Sequence, residues 1–505
     1  MNLFEAIFTH DPSSTAIKFD KREITYGELR AETLKMAQVI NSLRANRGDR
    51  IAILLHDSPE LIEAFIATCS LGAIAVPINM ALRLDEQCSI LHNSGATLAF
   101  MESDSCNTLL THAPEKLRSL KTVVSLPDLK RLLTDVADSE PPVFPAPGVD
   151  DPAFILYTSG STGEPKGAVH RQVDIFYTNQ TFCREVLRLT PEDRLFSSSR
   201  LPFAYGLGNS FSFPLLNGAS TILCREKPSP DVISKIFSEC RPTIFFGVPV
   251  VYNLLLEHHR SGKRLDCSSL RLCVSAGEAL PAHLGEEWER EFGIQLLDGI
   301  GSTEMLHMFM SNHENDVRYG SSGKLLDGYE ARLLDENGEP APAGSEGNLW
   351  IKGDSAAHFY WQNPEATTQT FVDGWVRTGD LYRRDSDGYW FHMGRSDDCF
   401  KSSGQWVSPV EVEGVLLRHP GVARAAVVED FDSDRLPCAC AFVVKQDVES
   451  DPVAFEKDLR ALAAESLPRF KQPRKYVFVS ELPYTATGKI QRFKLRQSLR
   501  AHAKP

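Results

Sequence analysis

The sequence predicts an α/β protein with a large N-terminal domain of layered α/β subdomains, a small β subdomain, and a small α+β C-terminal domain. Three observations predict this: short apolar strands alternate with helix signals before Gly320, strands alternate with turn residues after it, and a separate helix and strand pattern begins after Gly394. Short buried strands that alternate with helices are typical of parallel sheets. A chain of 505 residues also exceeds what one hydrophobic core usually serves, so several domains are expected.

The strands of the first region are predicted from apolar runs that precede a helix or turn signal. Arg50–Leu55 precedes a predicted helix over Pro59–Ser70, and Ala73–Asn79 follows that helix. The stretch Ser139–Pro152 is rich in proline and is predicted to be a linker or exposed loop. Further runs of the same kind are Ser220–Arg225, Pro242–Pro249 and Leu270–Glu278.

Two other patterns follow toward the C-terminal end. Lys324–Gly353 alternates strand-forming and turn residues, as a small β subdomain would. After Gly394 the pattern predicts a small βαβ-like domain of independent size. Its predicted elements are a helix over Val410–Val422, strands over Ala425–Phe431, Cys438–Lys445 and Tyr476–Val479, and a helix over Phe455–Leu467.

Composition and charge exclude several classes of protein. Lys plus Arg is 54 and Asp plus Glu is 67, so the net charge of −13 argues against nucleic acid as a bulk partner. No C-x-x-C pair occurs among the 11 cysteines, which removes zinc-ligand spacing and fits a reducing cytosol. The start lacks a basic segment before an apolar run, and no run of about 18 apolar residues occurs. We therefore expect a cytoplasmic protein without a signal peptide or membrane span.

The strongest local signal is the loop Tyr157–Gly167 (YTSGSTGEPKG), which follows a short apolar strand over Ala153–Leu156. Glycines let a backbone approach an anion closely, and hydroxyl and N–H groups then hold phosphate oxygens. The spacing differs from G-x-x-x-x-G-K-[ST], so a P-loop NTPase is disfavoured. A solvated surface loop is the alternative interpretation of this segment on its own.

The loop resembles the phosphate-binding signature of the adenylate-forming superfamily, which includes acyl-CoA synthetases, peptide-synthetase adenylation domains and luciferases. Four further segments occur in the order that the superfamily has, and the resemblance covers essentially the whole chain. These segments are Asp298–Glu304 (DGIGSTE), Arg377–Asp380 (RTGD), Gly394–Gly404 (GRSDDCFKSSG) and Pro483–Arg492 (PYTATGKIQR).

The resemblance implies a role for one or two residues in each segment. Thr303 would contact the α-phosphate of ATP, and Glu304 would help to hold Mg²⁺, a hard cation that prefers carboxylate and phosphate oxygens. Asp380 would accept hydrogen bonds from both ribose hydroxyls, and Arg395 would contact ribose or phosphate. Lys489 would bridge the substrate carboxylate and the α-phosphate as charge develops. Taken singly, most of these residues would be interpreted as ordinary surface or turn residues.

The remaining nucleotide contacts are implied by the same resemblance. Ile300 stands where the superfamily commonly has an aromatic residue, which speaks against an aromatic stacked on adenine at that point. The other implied contacts are Thr158, Ser159, Gly160, Ser161, Thr162, Gly163, Lys166, Gly277, Glu278, Asp298, Gly299, Gly301 and Ser302.

The superfamily's reaction has two steps, and the resemblance implies both. The substrate carboxylate attacks the α-phosphate of MgATP to give an acyl-adenylate and pyrophosphate, and no protein nucleophile is needed. The C-terminal domain then rotates about Asp397, so that the thiol of coenzyme A displaces AMP. We expect an N-terminal adenylating domain over 1–394, a hinge over 395–398 and a C-terminal lid domain over 399–505. The neighbouring Asp398 is interpreted as an exposed charged turn residue.

The coenzyme A contacts are less well marked. A loop that resembles the lining of the pantetheine tunnel and a basic cluster before a predicted strand are the candidates, and a solvated charged turn is the alternative for the cluster. The loop residues are Ser402, Ser403 and Gly404, and the cluster comprises Arg469, Lys471 and Arg474.

Within the superfamily, four segments resemble the benzoate-CoA ligase branch. They are Leu201–Asn209, Ser275–Pro281, Gly301–His307 and Gly404–Pro409. This resemblance implies an acyl pocket lined by Ala204, Tyr205, Ala276, Gly277, Gly301, His307 and Met308.

The lining of this pocket indicates the kind of acid. Small residues on opposite walls leave a flat slot, and Tyr205 offers an aromatic face. Met308 stands where the branch is expected to have a branched aliphatic residue, and methionine adapts its shape. A hydroxy- or amino-benzoate such as anthranilate is therefore as defensible as benzoate. Plain core packing of Tyr205 and Met308 is the alternative interpretation.

Three rival functions are weighed against coenzyme A ligation. The enzyme could load a carrier protein, although the chain shows no carrier domain. It could be a non-catalytic binding module, against which the joint retention of six residues argues, namely Lys166, Thr303, Glu304, Asp380, Arg395 and Lys489. No feature points to luciferase-like oxidation. A homodimer and a downstream carrier protein or synthase are left open as partners.

Overall fold

The computed structural model describes residues 2–136, 142–159, 165–402, 405–432, 435–446, 451–484 and 490–502. Strands and helices alternate through its first half, and strands dominate between 320 and 410. Within the described ranges the strands are β1 (Thr15–Phe19), β2 (Arg22–Thr25), β3 (Arg50–Leu54), β4 (Ile74–Pro77), β5 (Leu98–Met101), β6 (Thr122–Ser125), β7 (Pro152–Ser159), β8 (Pro165–Arg171), β9 (Arg194–Ser197), β10 (Ser220–Ile222), β11 (Ile244–Gly247), β12 (Leu272–Ser275), β13 (Leu296–Gly301), β14 (Met308–Ser311), β15 (Lys324–Leu325), β16 (Glu330–Leu334), β17 (Glu346–Lys352), β18 (Phe371–Val372), β19 (Trp375–Arg384), β20 (Trp390–Arg395), β21 (Phe400–Ser402), β22 (Gln405–Val407), β23 (Val422–Phe431), β24 (Pro437–Lys445) and β25 (Lys475–Phe478).

The helices connect most of the parallel strands. In the same ranges the α-helices are α1 (Leu3–Ile7), α2 (Tyr26–Ser42), α3 (Pro59–Ser70), α4 (Leu84–Ser94), α5 (Ser103–His112), α6 (Leu126–Asp135), α7 (Gln172–Thr178), α8 (Ala204–Leu207), α9 (Phe213–Leu216), α10 (Pro230–Cys240), α11 (Pro249–Arg260), α12 (Ala282–Phe292), α13 (Pro364–Thr370), α14 (Pro409–Leu416), α15 (Pro452–Ser466) and α16 (Arg492–His502). A 3₁₀ turn covers Pro114–Leu117, and π-helical segments cover Asn179–Leu187 and Gly208–Ser212. None of the described helices is long and apolar enough to cross a membrane.

The first of two large sheets has six strands in the order β6-β5-β3-β4-β7-β8. All neighbours are parallel except β7 and β8, which form an antiparallel pair. The predicted strand over Arg50–Leu55 is β3, and its residues from Ile51 to Leu54 are fully buried. Both faces of such a strand are covered, which is why its sequence is a continuous apolar run.

The helix after β3 spans the predicted residues, Pro59–Ser70, for local reasons. The hydroxyl of Ser58 accepts a hydrogen bond from the N–H of Leu61, and Pro59 occupies the first helical turn. A serine cap followed by proline is a preferred helix start, since proline has no N–H to leave unpaired there.

The second large sheet has nine strands in the order β15-β14-β13-β12-β11-β9-β10-β1-β2. Its six central strands are parallel, and the antiparallel strands β14, β15 and β2 lie toward its two edges. The predicted strands over Ser220–Arg225, Pro242–Pro249 and Leu270–Glu278 correspond to β10, β11 and β12. The carboxyl ends of β9, β12 and β13 lead to predicted acyl and nucleotide residues, namely Ala204 and Tyr205 after β9, Ala276 to Glu278 after β12, and Gly301 to Glu304 at and after the end of β13.

The remaining sheets are smaller. Strands β16 to β20 form an antiparallel five-stranded sheet, where the alternating pattern after Gly320 predicted a β subdomain. In the C-terminal part, β23 pairs antiparallel with β24, and β24 pairs parallel with β25 across α15. The large N-terminal and small C-terminal parts of the predicted α/β fold are confirmed, whereas the boundaries at 394 and 398 stay a prediction.

One predicted element is shorter than expected. The helix predicted over Val410–Val422 is α14, and it ends at Leu416. The segment His419–Gly421 contains Pro420, which restricts the preceding residue to extended backbone and cannot continue a helix. The chain turns there and enters β23 at Val422.

Candidate nucleotide and acyl site

The predicted phosphate loop connects β7 and β8. Thr158 pairs with Lys166 and Ser159 with Pro165 across the two strands, and the hydroxyl of Tyr157 donates to Asn93 Oδ1 at 2.6 Å. This pairing holds the two ends of the loop side by side. The predicted contacts Gly160, Ser161, Thr162 and Gly163 lie outside the described residues.

Lys166 and Glu304, predicted from separate motifs, meet at a tyrosine. The Nζ atom of Lys166 lies 5.5 Å from the ring centroid of Tyr360, and the Tyr360 hydroxyl donates to Glu304 Oε1 at 2.6 Å. Burial, and then the charge of Glu304, raise the pKa of Tyr360 well above its ordinary value. The phenol therefore stays a neutral donor to the half-buried carboxylate at physiological pH.

The backbone around Tyr360 lies beside β8. Tyr360 forms an antiparallel bridge with Ala168, and the N–H of Trp361 donates to the Gly167 carbonyl at 2.7 Å. The N–H of Ala357 donates to the carbonyl of Glu304 at 2.7 Å. These backbone contacts place Tyr360 beside the end of the phosphate loop. They also hold the backbone of Glu304 in place.

A buried histidine fixes the other predicted phosphate contact, Thr303. Nε2 of His170 donates to the Thr303 carbonyl at 2.8 Å, and Nδ1 lies 3.1 Å from Asp174 Oδ2. Both His170 and Asp174 are fully buried. The backbone at Thr303 is therefore tied to β8, the strand that follows the phosphate loop.

The predicted ribose contacts lie together on the small β sheet. Asp380 on β19 pairs in register with Arg395 on β20, and its Oδ1 is 3.2 Å from Arg395 Nη1 and 3.3 Å from His392 Nε2. Asp380 is 8% exposed, and its charge is the main reason that the pKa of Arg395 is raised above its ordinary value. Two residues predicted from different motifs thus form one charged pair.

Strand β13 carries the predicted nucleotide contacts Asp298 to Gly301, of which Gly301 is also a predicted acyl residue. Asp298 is buried, its Oδ2 accepts a weak hydrogen bond from the N–H of Leu280 at 3.5 Å, and Oδ1 has no hydrogen-bond partner among the described residues. Burial raises the pKa of this carboxyl well above its ordinary value. Ile300 packs against the hydrophobic core, and Gly301 and Ser302 follow at the half-buried end of the strand.

The charge of Glu278 acts on residues on both sides of the segment that carries Lys489, since it raises the pKa of Tyr484 and of Arg492. Tyr484 and Ile490 form an antiparallel bridge, although the intervening residues 485–489, with Lys489, lie outside the described residues. Burial raises the pKa of Tyr484, and the charge of Glu278 adds to this. Glu278, a predicted nucleotide contact on the N-terminal side, therefore faces the base of the lysine loop.

The predicted acyl residues come from three places and meet around His307. Its Nε2 lies 3.2 Å from Asn209 Oδ1, and its ring centroid lies 4.6 Å from that of Phe213 and 5.7 Å from that of Tyr205. Burial lowers the pKa of His307 to about 3, so the ring is neutral. Nδ1 of His307 and Nδ2 of Asn209 have no partner among the described residues.

The other acyl residues are held by backbone contacts. The hydroxyl of Tyr205 donates to the Val274 carbonyl at 3.1 Å, at the end of the strand that leads to Ala276 and Gly277. Ala276 and Met308 are buried, and Tyr205 and Ala204 lie on the short helix α8.

Gly301 approaches the backbone on the opposite side of the turn. A Cβ atom there would lie 2.5 Å from the carbonyl oxygen of His307 and 2.8 Å from the N–H nitrogen of Met308. Only glycine permits this approach, which sets the width of the predicted pocket. Leu306 in the same turn has φ +64°, a left-handed conformation that is uncommon for leucine.

The coenzyme A candidates are spread over the C-terminal part. Ser402 is buried on β21, whereas Ser403 and Gly404 lie outside the described residues. Lys471 is 2.5 Å from Glu411 Oε2, Arg474 pairs with Asp432, and Arg469 is exposed. Two of the three predicted cations therefore already have carboxylate partners.

The interpretation of Asp398 as an exposed turn residue is wrong. Its side chain is 19% exposed and lies 3.0 Å from Arg496 Nη1 and 3.5 Å from Arg492 Nη1. Burial lowers the pKa of Arg492, but the charges of Glu413, Asp398 and Glu278 together raise it above its ordinary value. The predicted hinge is thus tied by ion pairs to α16, which follows the lysine loop, while Asp397 beside it is exposed.

Three polar residues that hold this site, Tyr360, His170 and Asn209, were not predicted from the sequence. Asn209 ends the segment Leu201–Asn209, so its place beside the acyl residues could have been found there. His170 and Tyr360 carry no comparable signal, since their roles depend on contacts with residues 133 and 56 positions away in the chain.

A hairpin with the predicted phosphate loop, the paired Asp380 and Arg395 and a lysine loop from a small C-terminal part are the features expected of an adenylate-forming enzyme. The model of the family described as "AMP-binding enzyme" matches residues 4–361, and the model described as "AMP-binding enzyme C-terminal domain" matches 411–489. The chain belongs to the AMP-binding enzyme family.

Three relatives narrow the comparison. The chain is 40% identical over 489 residues to the benzoate–CoA ligase of Thauera aromatica, covering 95% of this chain and 92% of that one. The crystal structure of the anthranilate CoA ligase AuaEII in complex with anthranoyl-AMP has a TM-score of 0.94 and 36% identity, covering 99% and 98% of the two chains. A benzoate CoA ligase from Burkholderia xenovorans LB400 has a TM-score of 0.89 and 38% identity, covering 98% and 100%. The predictions of the family, the fold and an AMP-forming aryl-CoA ligase are thereby confirmed.

Proposed function

We propose that this enzyme adenylates a small benzoate-type acid with MgATP and then transfers the acyl group to coenzyme A. The main support for this proposal is that predicted acyl residues lie on the same segment as the predicted phosphate contacts. Thr303 and Glu304 are followed within four residues by His307 and Met308, and His307 lies against Tyr205 of α8. An acid bound beside Tyr205 would hence have its carboxylate near the α-phosphate.

The roles that we assign to residues in the adenylation step follow from their charge and their position. The acid carboxylate forms a bond to the α-phosphorus, and the bond to pyrophosphate breaks. Lys166 and Lys489 would supply positive charge, and Thr303 a hydrogen bond to the α-phosphate. Asp380 with Arg395 would hold the ribose. A buried cysteine is not required, because the attacking oxygen belongs to the substrate.

Glu304 is the residue that we assign to Mg²⁺. A half-buried carboxylate with one oxygen fixed by Tyr360 suits a hard cation whose remaining ligands are phosphate oxygens and water. The ion, when bound, offsets the negative charge of the phosphates. The chain's own contribution is to keep Glu304 turned toward them.

We assign the described arrangement of the C-terminal part to the adenylation step. The base of the lysine loop faces Glu278 in this arrangement, and Lys401 of β21 is 2.6 Å from Glu336 of the N-terminal part. One face of the C-terminal part, with the base of the lysine loop, is therefore turned to the N-terminal part. Rotation of residues 399–505 about Asp397 would exchange the two faces and admit coenzyme A, with 1–394 staying in place.

The polar atoms beside the pocket favour a ring with a polar substituent. Nδ1 of the neutral His307 accepts a hydrogen bond, and Nδ2 of Asn209 donates one. Both atoms are buried without a partner among the described residues, which costs free energy unless a ligand reaches them. A ring hydroxyl or amino group, as in a hydroxybenzoate or anthranilate, could do so, whereas the ring of benzoate carries no polar group.

The test is pyrophosphate release with a panel of acids, followed by detection of the thioester. The panel contains benzoate, the three hydroxybenzoates, anthranilate, and short and long aliphatic acids. We expect the highest kcat/KM for a hydroxy- or amino-benzoate and formation of its coenzyme A thioester. A preference for aliphatic acids would overturn the aromatic assignment. Thioester formation only on a carrier protein would favour the carrier-loading alternative. The cytoplasmic location stays a prediction from the sequence, and a homodimer stays open.

A further inference from the structure

A buried ion pair joins the two large sheets at the start of the acyl segment. Asp57, in the loop after β3, is 7% exposed, and its Oδ2 lies 3.5 Å from Nη1 of Arg200, in the loop after β9. Its Oδ1 accepts a hydrogen bond from the N–H of Leu201 at 3.1 Å. Burial raises the pKa of Asp57 to about 6 and Arg200 opposes this, so the carboxyl is charged at neutral pH. One carboxylate of the six-stranded sheet thus holds both the guanidinium and the next peptide of this segment.

The guanidinium of Arg200 also holds the chain that leaves β10. It donates to the carbonyls of Cys224, of Arg225 at 3.3 Å and of Glu226 at 2.5 Å. The loops after β3, β9 and β10 therefore meet at one side chain. An arginine with several fixed acceptors is a rigid anchor, because its planar fork is pre-organised.

The acyl helix is built directly on the backbone of Arg200. The N–H of Phe203 donates to the Arg200 carbonyl at 3.1 Å. A Cβ atom at Gly206 would lie 2.0 Å from the same carbonyl oxygen, so only glycine allows the helix to approach it. The places of Ala204 and Tyr205 are hence set by the place of Arg200.

The helix also lies between two hydrophobic cores. Leu201 and Ala204 pack in the core that contains Ile51 and Ile53 of β3, whereas Tyr205 packs against the core of the nine-stranded sheet. Apolar contacts are non-directional and resist sliding only weakly. The ion pair of Asp57 and Arg200, just before α8, is directional and therefore fixes the position of this segment between the two cores.

A second ion pair crosses the same seam without a direct contact to Leu201–Tyr205, although the carbonyl of its arginine, Arg225, accepts a hydrogen bond from Arg200. Oε1 of Glu102, after β5, is 2.6 Å from Nη2 of Arg225 and accepts a hydrogen bond from the N–H of His56 at 3.1 Å. It joins the same two sheets through the same types of residue. Glu102 is therefore the matched control for Asp57.

We infer that Asp57 and Arg200 are positioning residues for the acid substrate, which hold Leu201 to Tyr205 and thereby set the depth of the acyl pocket. This rests on the proposed function, because it takes Ala204 and Tyr205 as pocket walls. Neither residue touches the substrate. Loosening the anchor lets α8 move, which weakens acid binding and leaves the phosphate and ribose contacts in place.

The experiment compares Asp57→Asn, Asp57→Ala and Glu102→Gln with the unmodified enzyme. Asparagine keeps an acceptor for the N–H of Leu201 and loses the charge opposite Arg200, whereas alanine loses both. KM for the acid, KM for ATP and kcat are measured by pyrophosphate release, using the acid that the unmodified enzyme prefers. Circular dichroism and thermal unfolding report whether each variant is folded, and Asp57→Asn carries the test if Asp57→Ala is not.

We expect Asp57→Ala to raise KM for the acid by about tenfold to a hundredfold, Asp57→Asn to raise it less, and KM for ATP to change little in both. Glu102→Gln should leave KM for the acid unchanged. The inference is overturned if folded Asp57 variants keep the normal KM for the acid, if KM for ATP rises equally, or if Glu102→Gln has the same effect. Failure of the aromatic assignment would be seen separately, as an aliphatic preference of the unmodified enzyme.

Discussion

The hydroxyl of Tyr360 offers the sharpest test of the nucleotide site. Tyr360→Phe removes one oxygen atom, keeps the ring beneath Lys166 Nζ, and leaves the backbone bridge to Ala168 intact. The lost contact is a hydrogen bond of 2.6 Å to the carboxylate of Glu304. Without it, Glu304 is free to rotate away from the place where it would meet Mg²⁺ and the phosphates.

The magnitude follows from the charge of the acceptor. Hydrogen bonds to charged groups contribute about 1.5–3 kcal/mol, and about 1.4 kcal/mol corresponds to a factor of ten in an equilibrium constant. We therefore expect KM for MgATP to rise between about tenfold and about a hundredfold. KM for the acid should change little, since Tyr360 lies on the phosphate side of Glu304.

The assay is pyrophosphate release at saturating acid with MgATP varied, together with calorimetric titration of MgATP into the enzyme. Tyr26→Phe is the control, because Tyr26 is also buried and its hydroxyl also donates a short hydrogen bond, at 2.7 Å, but to the carbonyl of Ala219 in the core. Both variants should lose some stability to urea. An unchanged or lowered Kd for MgATP in Tyr360→Phe would refute the reasoning, because the hydroxyl would then compete with the ion for Glu304.

Three further predictions concern the lysine loop, the acyl turn and the buried histidine. Lys489→Ala should impair adenylation far more than thioester formation from a pre-made acyl-adenylate, and equal loss of both steps in separate assays would contradict its assigned role. Gly301→Ala should raise KM for the acid, because its Cβ would lie 2.5 Å from the His307 carbonyl oxygen. Unchanged kinetics would show that the backbone of this turn shifts without cost to acid binding. The folded pKa of His307, about 3, lies below the unfolded value of 6.5, so the unfolded state binds the extra proton and stability falls as pH drops between these values. His307→Gln should flatten this part of the pH dependence in urea unfolding at about pH 7 and about pH 5, and an unaltered slope would show that the ring is protonated in the folded enzyme.

The strands of the two large sheets could be predicted because burial on both faces leaves a direct mark on the sequence. β3, β11 and β12 are continuous apolar runs, and the cap at Ser58 marks the start of α3. The order of the strands could not be predicted in this way. Neighbours such as β10 and β1 lie about two hundred residues apart in the chain, and no local pattern records which strands pair.

The same distinction holds for the site. Residues of compact motifs, such as Lys166, Asp380 and Arg395, could be predicted because the motif itself is local. Tyr360 and Asp57 could not, since each is a single residue whose partner lies in a different sheet or loop. Asp398 was assigned to solvent because its arginine partners lie on α16, far along the chain.

The placement of the supporting residues separates the two halves of the site physically. The nucleotide contacts are held by charged side chains and β-strand pairing, with Glu304 bound to Tyr360 and Asp380 to Arg395. The acyl contacts depend instead on the backbone of a turn that contains Gly301 and the left-handed Leu306. Small changes in that turn, or in the anchor of α8, should alter the predicted pocket without disturbing the charges that are predicted to bind ATP. Substitutions around this turn should therefore change the preferred acid while adenylation chemistry is kept.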